Sequence, residues 1–226
     1  MNEASKPTPE NAIFVWIPKT AGTSVFAALQ NGARFAKLKR VRDVVMLFKQ
    51  SGRVTFGHMN CLMLVAGGLV ERRYFDRAFK FAFVRDPYSR AVSLYQYLKK
   101  ERRLPVSTTF LQFCQRLENG RLEPVGLYNS SGLSQCNPQQ RWIEGLALDF
   151  LGRYEELDAG FNYLAGQFGM TASQLPYLNS SVSAAAGAFY CLESKRIIET
   201  FYAEDFAAFG YPFRALEDLT AIAASA

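Results

Sequence analysis

A proline, a lysine, two threonines, a serine and one glycine stand together at Pro18-Lys19-Thr20-Ala21-Gly22-Thr23-Ser24. These are the parts of a phosphate cradle. Gly22 lets the backbone approach a ligand, the hydroxyls and the first amides of a following helix donate hydrogen bonds, and Lys19 supplies a cation. The expected ligand is anionic. The order of residues separates this loop from the NTPase pattern G-x-x-x-x-G-K-S/T, in which the lysine follows the last glycine. Here Lys19 precedes the only one and approaches from the side of the preceding segment. The magnesium arrangement of the NTPase loop is missing too, so no divalent ion is expected.

A second set lies in Arg85-Asp-Pro-Tyr-Ser-Arg-Ala-Val-Ser93-Leu-Tyr95. Arg85 closes an apolar run and offers a planar fork suited to a phosphate, while Ser93 adds a hydroxyl about two turns into the next helix. Arg90 and Ser93 share a helix face. An arginine in that position serves equally well as a surface ion-pair partner. His58, the single histidine, closes another short run, and its intrinsic pKa suits it to removing a hydroxyl proton. Asp86 is a weaker rival for that work because capping its helix already accounts for it. Glu155 is a further carboxylate, equally readable as a partner of Arg153 or Arg90.

The elements that must carry these residues follow from hydrophobic pattern and punctuation. Residues 12–17 are a continuous apolar run, as expected for a strand buried on both faces, and 53–57, 79–84 and 149–154 read as further strands. Helices are expected after Ser24, over 60–68, from Asp86-Pro87 to about 102, over 108–117, over 157–168, and over 195–206 as the closing element. Residues 120–137 are rich in Gly, Pro, Asn and Ser and read as a long loop. Strands alternating with helices predict one α/β domain with a central parallel sheet. In such a sheet all carboxyl ends emerge on one edge, where ligands bind. Lys19, His58, Arg85 and Arg153 would all be delivered there.

Taken in order, the two motifs resemble sulfotransferases that use 3′-phosphoadenosine 5′-phosphosulfate (PAPS), in particular the carbohydrate O-sulfotransferase-like, family 2 type. Val54-Thr-Phe-Gly-His58, Asn137-Pro-Gln-Gln-Arg-Trp142, Gly152-Arg-Tyr-Glu155 with Leu157, and Tyr202-Ala-Glu-Asp-Phe206 with Phe209-Gly-Tyr211 look similar as well. The resemblance covers about residues 12–212, leaving 1–11 as a flexible N-terminus and 213–226 as a C-terminal tail. It implies a P-loop-like three-layer α/β/α fold. It also implies that Pro18, Lys19, Thr20, Ala21, Gly22, Thr23 and Ser24 hold the 5′-phosphosulfate and that Arg85 and Ser93 hold the 3′-phosphate. The donor would be PAPS and the product 3′-phosphoadenosine 5′-phosphate (PAP), with no metal. Lys19 would meet the charge growing on the leaving oxygen, and His58 would be the base.

The acceptor implied is a hydroxyl, with a carbohydrate or glycoconjugate as the leading class. Gln139, Gln140 and Arg141 are candidate contacts to it or to the adenosine, against an ordinary loop-to-helix junction with a buried Trp142. Residues 175–181 carry hydroxyls and an amide that would suit a loop closing over the donor, although turn chemistry selects the same types.

Composition sets the outer limits. With 49% apolar and 14% aromatic residues the chain can build a core, and 26 Lys and Arg against 20 acidic residues give +6, which favours anionic ligands. The densest basic run, residues 37–42, is either a solvated helix face or a docking patch for an acidic acceptor. Four cysteines without a C-x-x-C pair, beside one histidine, leave no zinc signature and suggest reduced structural thiols. The polar start has no signal core and no run is long enough to span a bilayer. The expectation is a cytoplasmic enzyme with no nucleic-acid partner. Two rivals remain: a nucleotide or small-molecule kinase, which magnesium dependence would reveal, and a noncatalytic nucleotide-binding module, against which Lys19 and His58 argue.

Overall fold

The computed structural model describes residues 8–120, 133–170, 175–176 and 189–221. Most of the expected long loop, 121–132, and residues 177–181 of the expected closing loop lie outside that set. In chain order the elements are β1 Ala12–Val15, α1 Gly22–Ala33, β2 Ala36–Lys37, α2 Val41–Leu47, β3 Arg53–Thr55, α3 Cys61–Ala66, α4 Arg72–Arg77 and β4 Phe79–Val84. There follow α5 Pro87–Lys100, α6 Phe110–Glu118, α7 Gln140–Ile143, β5 Phe150–Arg153, α8 Leu157–Gln167, α9 Leu192–Phe201, α10 Ala203–Phe209 and α11 Leu216–Ala221. The chain divides into two compact units, one of Met1–Val84 with Ile143–Leu178 and one of Arg85–Trp142 with Asn179–Ala226.

The first unit holds the sheet. Its strands run in the order β2-β3-β1-β4-β5 and every pairing is parallel. β1 lies at the centre, with Ala12 opposite Arg53 on one side and Phe79 on the other. Strand alternation sends Phe14, Trp16, Phe81 and Phe83 into one core cluster with Val25, Phe26 and Leu29 of α1 and Phe161 and Leu164 of α8. Lys80 has the opposite parity and is buried, an unusual place for a strand lysine. It is tolerated because its ammonium donates to the carbonyls of Phe75 (2.9 Å) and Ala78 (2.8 Å) at the end of α4, where the helix dipole favours a cation. The Asp149 carboxylate accepts the Lys80 N–H at 2.8 Å and the Asp149 N–H donates to the Lys80 carbonyl at 2.7 Å, which starts β5 in register.

The second unit is helical. Asp86 caps α5 by accepting the Ser89 N–H at 2.9 Å, with Pro87 in the first turn, as its sequence predicts. Thr109 and Gln112 form a capping box at the start of α6. The rings of Tyr95, Phe110, Phe113, Phe189 and Tyr190 pack edge-on or tilted into one aromatic cluster.

Four sequence expectations change. The basic run 37–42 is not a helix face, because Lys37 ends strand β2 and α2 begins only at Val41. The closing helix is two helices broken at Tyr202, which is fully buried and donates its hydroxyl to the Cys136 carbonyl at 3.0 Å. Helix α4 was not foreseen, and the segment read as a tail contains α11. All four cysteines are free thiols, and only Cys191 is exposed.

Candidate active site

The chain leaves β1 through Trp16 and Ile17 and turns at Pro18 into the loop. Lys19 (φ 70°) and Ala21 (φ 63°) both take left-handed backbone conformations without being glycine. Each costs about 1 kcal/mol or more and persists only where the surroundings enforce it. Here the buried Thr20 hydroxyl donates to the Ile17 carbonyl at 3.0 Å, and the Val25 N–H reaches the Ala21 carbonyl at 3.1 Å. Alternation of this kind turns successive N–H groups toward one concavity. That concavity leads into the N-terminus of α1, where Ala21 has no side chain to cap the first amides, so the helix start favours an anion.

Gly22 is required by a neighbour. A Cβ there would fall 2.0 Å from the Trp16 Nε1, so the indole lies directly against the first residue of α1. The Thr20 side chain is spent on closing the loop, and its contribution to a ligand is therefore its backbone. Ser24 is buried and Thr23 exposed.

Trp16 organises two further groups. The Lys37 ammonium, at the carboxyl end of β2, stands 3.7 Å from the Trp16 ring centroid and 5.2 Å from that of Phe26. It is half-buried, and no carboxylate among the described residues pairs with it. Burial, aided by Lys39, pushes its pKa down to about 8. His58 lies beyond β3, with its ring edge-on to Trp16 and its Nδ1 2.9 Å from the Trp16 carbonyl. A carbonyl only accepts, so the proton sits on Nδ1 and the imidazole lone pair on Nε2. Burial pushes the His58 pKa down to about 4. The Trp16 carbonyl opposes the shift, and the Lys37 and Lys19 charges reinforce it. His58 is thus neutral at physiological pH, with two ammonium groups close enough to be felt.

In the second unit Arg85 follows directly on β4. Its Nε donates to the Ser89 hydroxyl at 2.9 Å, and its backbone is clamped by Gln139: the Arg85 N–H donates to Oε1 at 2.8 Å, and Nε2 donates to the Arg85 carbonyl at 2.8 Å. Gln139 is fully buried, and Asp205 accepts its backbone N–H (2.9 Å) and that of Gln140 (2.9 Å). The Gln139 amide is therefore occupied in fixing Arg85 and has no surface to offer an acceptor. Gln140 is half-buried, and Arg141 is exposed and ion-paired with Glu204 at 2.8 Å. Arg90 is fully buried, donates to the carbonyls of Gln135 and Asn137, and lies over the Tyr202 ring. Ser93, three residues further along α5, is 7% exposed. Asp86 caps α5 and pairs with Arg214 at 2.9 Å. Glu155 is exposed in a short turn of 3-10 helix.

Lys37 and Trp16 are the site residues that sequence reasoning missed. Lys37 was hidden in a basic run, and a two-residue strand is too short to show a period. Phe35 and Leu38 around it are the only apolar hint.

A parallel sheet whose central strand leads into an anion-binding loop, with a neutral histidine and two ammonium groups beside it, defines an α/β protein equipped for transfer of an anionic group. Residues 8–212 match the profile of the sulfotransferase family, and the chain belongs to that family. The fold is similar to that of mouse sulfotransferase SULT7A1 complexed with PAP, at TM-score 0.57 and 12% identity, over 96% of this chain and 89% of that one. It is also similar to a sulfotransferase from Alicyclobacillus acidocaldarius, at TM-score 0.52 and 15% identity, over 96% and 97%. At these identities the likeness is one of fold. No curated protein matches the sequence significantly. Among the described residues no group of three or more His, Cys, Asp or Glu side chains is assembled for a metal ion, and no helix is long and apolar enough to cross a membrane.

Proposed function

We propose that this sulfotransferase moves a sulfuryl group from PAPS to a hydroxyl of an acceptor, with a carbohydrate or glycoconjugate as the leading class. The observation that carries the reading is His58 locked as the Nδ1–H tautomer and held neutral beside Lys19 and Lys37. That arrangement suits a reaction that must remove a proton from one oxygen while negative charge grows at another.

In an in-line transfer the bond from sulfur to the phosphate oxygen breaks as the bond from sulfur to the acceptor oxygen forms. Negative charge collects on the departing oxygen, and Lys19 with the loop amides meets it without reorganising, which is the source of electrostatic catalysis. The His58 Nε2 lone pair takes the proton of the acceptor hydroxyl. Lys37 adds a second positive charge over Trp16, felt at His58, to meet the equatorial oxygens of the moving group or an acceptor anion. Pro18 to Ser24 hold the 5′-phosphosulfate, and Arg85 and Ser93 take the 3′-phosphate. The PAP in the mouse sulfotransferase of similar fold supports the choice of nucleotide. Gln140 and Arg141 remain the proposed acceptor contacts.

The test is transfer of labelled sulfate from PAPS to a panel of oligosaccharides, phenols and alcohols. Label on an oligosaccharide hydroxyl, abolished in Lys19→Ala, is the expected outcome. Label confined to phenols would remove the carbohydrate assignment, and no label on any acceptor together with no PAP binding would remove the donor.

A further inference from the structure

Helix α2 presents an apolar face to solvent. Of its seven residues only Val44 is buried, whereas Val41 is 49% exposed, Val45 61%, Met46 69% and Leu47 65%. Single exposed aliphatic residues are ordinary, but Val41, Val45 and Met46 on neighbouring rows of one short helix form a patch, with Leu47 exposed on a further row. The helix is not detached from the fold, because Phe48 at its end packs edge-on against Phe56 and Tyr74.

The surroundings of the patch are cationic. Lys39, Arg40, Arg42 and Lys49 are exposed. The one acid in the stretch, Asp43, accepts the backbone N–H groups of Lys39 (2.9 Å) and Arg40 (3.0 Å) at the helix start. Helical spacing puts Val41 and Val45 in one row and Arg42 and Met46 in the next, so guanidinium and aliphatic groups interleave on the outward face.

This mixture selects among occupants. The centre of a protein interface is depleted in charge and enriched in aromatic residues, and this face has no aromatic side chain turned outward. A second copy packed about a two-fold axis would bring the cations of two α2 helices together. Nucleic acid would satisfy the cations and leave the aliphatic groups in water. A layer that is anionic at its surface and apolar beneath satisfies both, with long cationic stems lying along the boundary as Val and Met side chains sink below it. We propose that α2 docks the enzyme on an anionic lipid surface, lying in the plane of the headgroups. Because Lys37 precedes α2 by only four residues, docking would hold the β2 edge of the site toward acceptors presented at that surface. The inference does not depend on which acceptor is used.

Co-sedimentation of the full chain with phosphatidylcholine vesicles, with and without about one third phosphatidylglycerol, tests it. The protein should pellet only with the anionic vesicles and be released at about 0.5 M salt. A Val45→Glu, Met46→Glu double variant should lose at least roughly tenfold in partitioning, since two aliphatic groups that enter the lipid become charges. Its thermal midpoint and its PAP affinity should be unchanged. Failure to pellet with anionic vesicles, or equal pelleting of the double variant, would overturn the proposal. So would a dimer in analytical ultracentrifugation that the double variant dissolves, since the patch would then be covered by a second copy.

Discussion

Lys37 carries a charge where burial and Lys39 both oppose it, and its pKa falls from the ordinary 10.5 to about 8. Below pH 8 the folded and unfolded chains both hold the proton, so the fold bears the whole cost of that charge. Between pH 8 and 10.5 the folded chain sheds its proton first, and stability recovers. Replacing Lys37 by Met should therefore raise the thermal midpoint at pH 7 while lowering kcat/KM, and a variant that is more stable and fully active would remove the charge from the mechanism. His58 acts in the same direction at lower pH. Above pH 6.5 both states are neutral. As pH falls toward 4 the unfolded chain takes up a proton that the folded chain refuses, so stability is lost across that range. His58→Asn should flatten this acid limb in thermal scans, and it should cut kcat by about 10²- to 10⁴-fold. The acid limb of wild-type kcat/KM should lie near pH 4, and a limb near 6.5 would mean that His58 is not the base. Gly22→Ala would drive a methyl into the Trp16 indole at 2.0 Å. The expected cost is about 1–3 kcal/mol from overpacking, with loss of PAP affinity in calorimetry as the loop shifts.

Elements place these residues, and one clamp does so indirectly. Asp205 at the start of α10 holds the N–H groups of Gln139 and Gln140, and Gln139 in turn holds both backbone polar groups of Arg85. Asp205→Ala should cost about 1–3 kcal/mol by leaving buried donors without an acceptor, and it should weaken PAP binding because Arg85 is no longer fixed. Lost stability with PAP affinity intact would show that Arg85 finds its position without the clamp. Such a network is not legible in sequence: Asp205 lies 66 residues from Gln139, and a glutamine in a polar loop reads as a surface group. The elements that were legible carry strong local signals. β1 is an unbroken apolar run, β4 is one interrupted only by Lys80, and Asp86-Pro87 opens α5 with a capping residue and a ring already fixed in φ. Where local signal was weak the reading failed. β2 has two residues, and the break at Tyr202 contains neither Gly nor Pro, so the helical period of 195–206 continues across a position that only tertiary burial interrupts.

At the scale of the whole molecule the chain is a family member whose fold and loop were readable from sequence, while the charges around Trp16 required the structure. Its net charge of +6 adds a long-range attraction for a donor bearing several negative charges, so kcat/KM should fall as ionic strength shortens the Debye length. We propose a selection narrower than that field provides: the protein takes an adenosine carrying phosphates at both the 5′ and 3′ positions, with fixed amides, Lys19, Arg85 and Ser93 as its proposed contacts. Isothermal titration of PAP in the presence of a chelator tests it most directly, with ATP and adenosine 5′-phosphate as comparisons. PAP should bind tightly without magnesium, with binding lost in Lys19→Ala and Arg85→Ala, and the two nucleotides that lack the 3′-phosphate should bind much more weakly. ATP binding as tightly as PAP, or PAP binding only when magnesium is supplied, would contradict it.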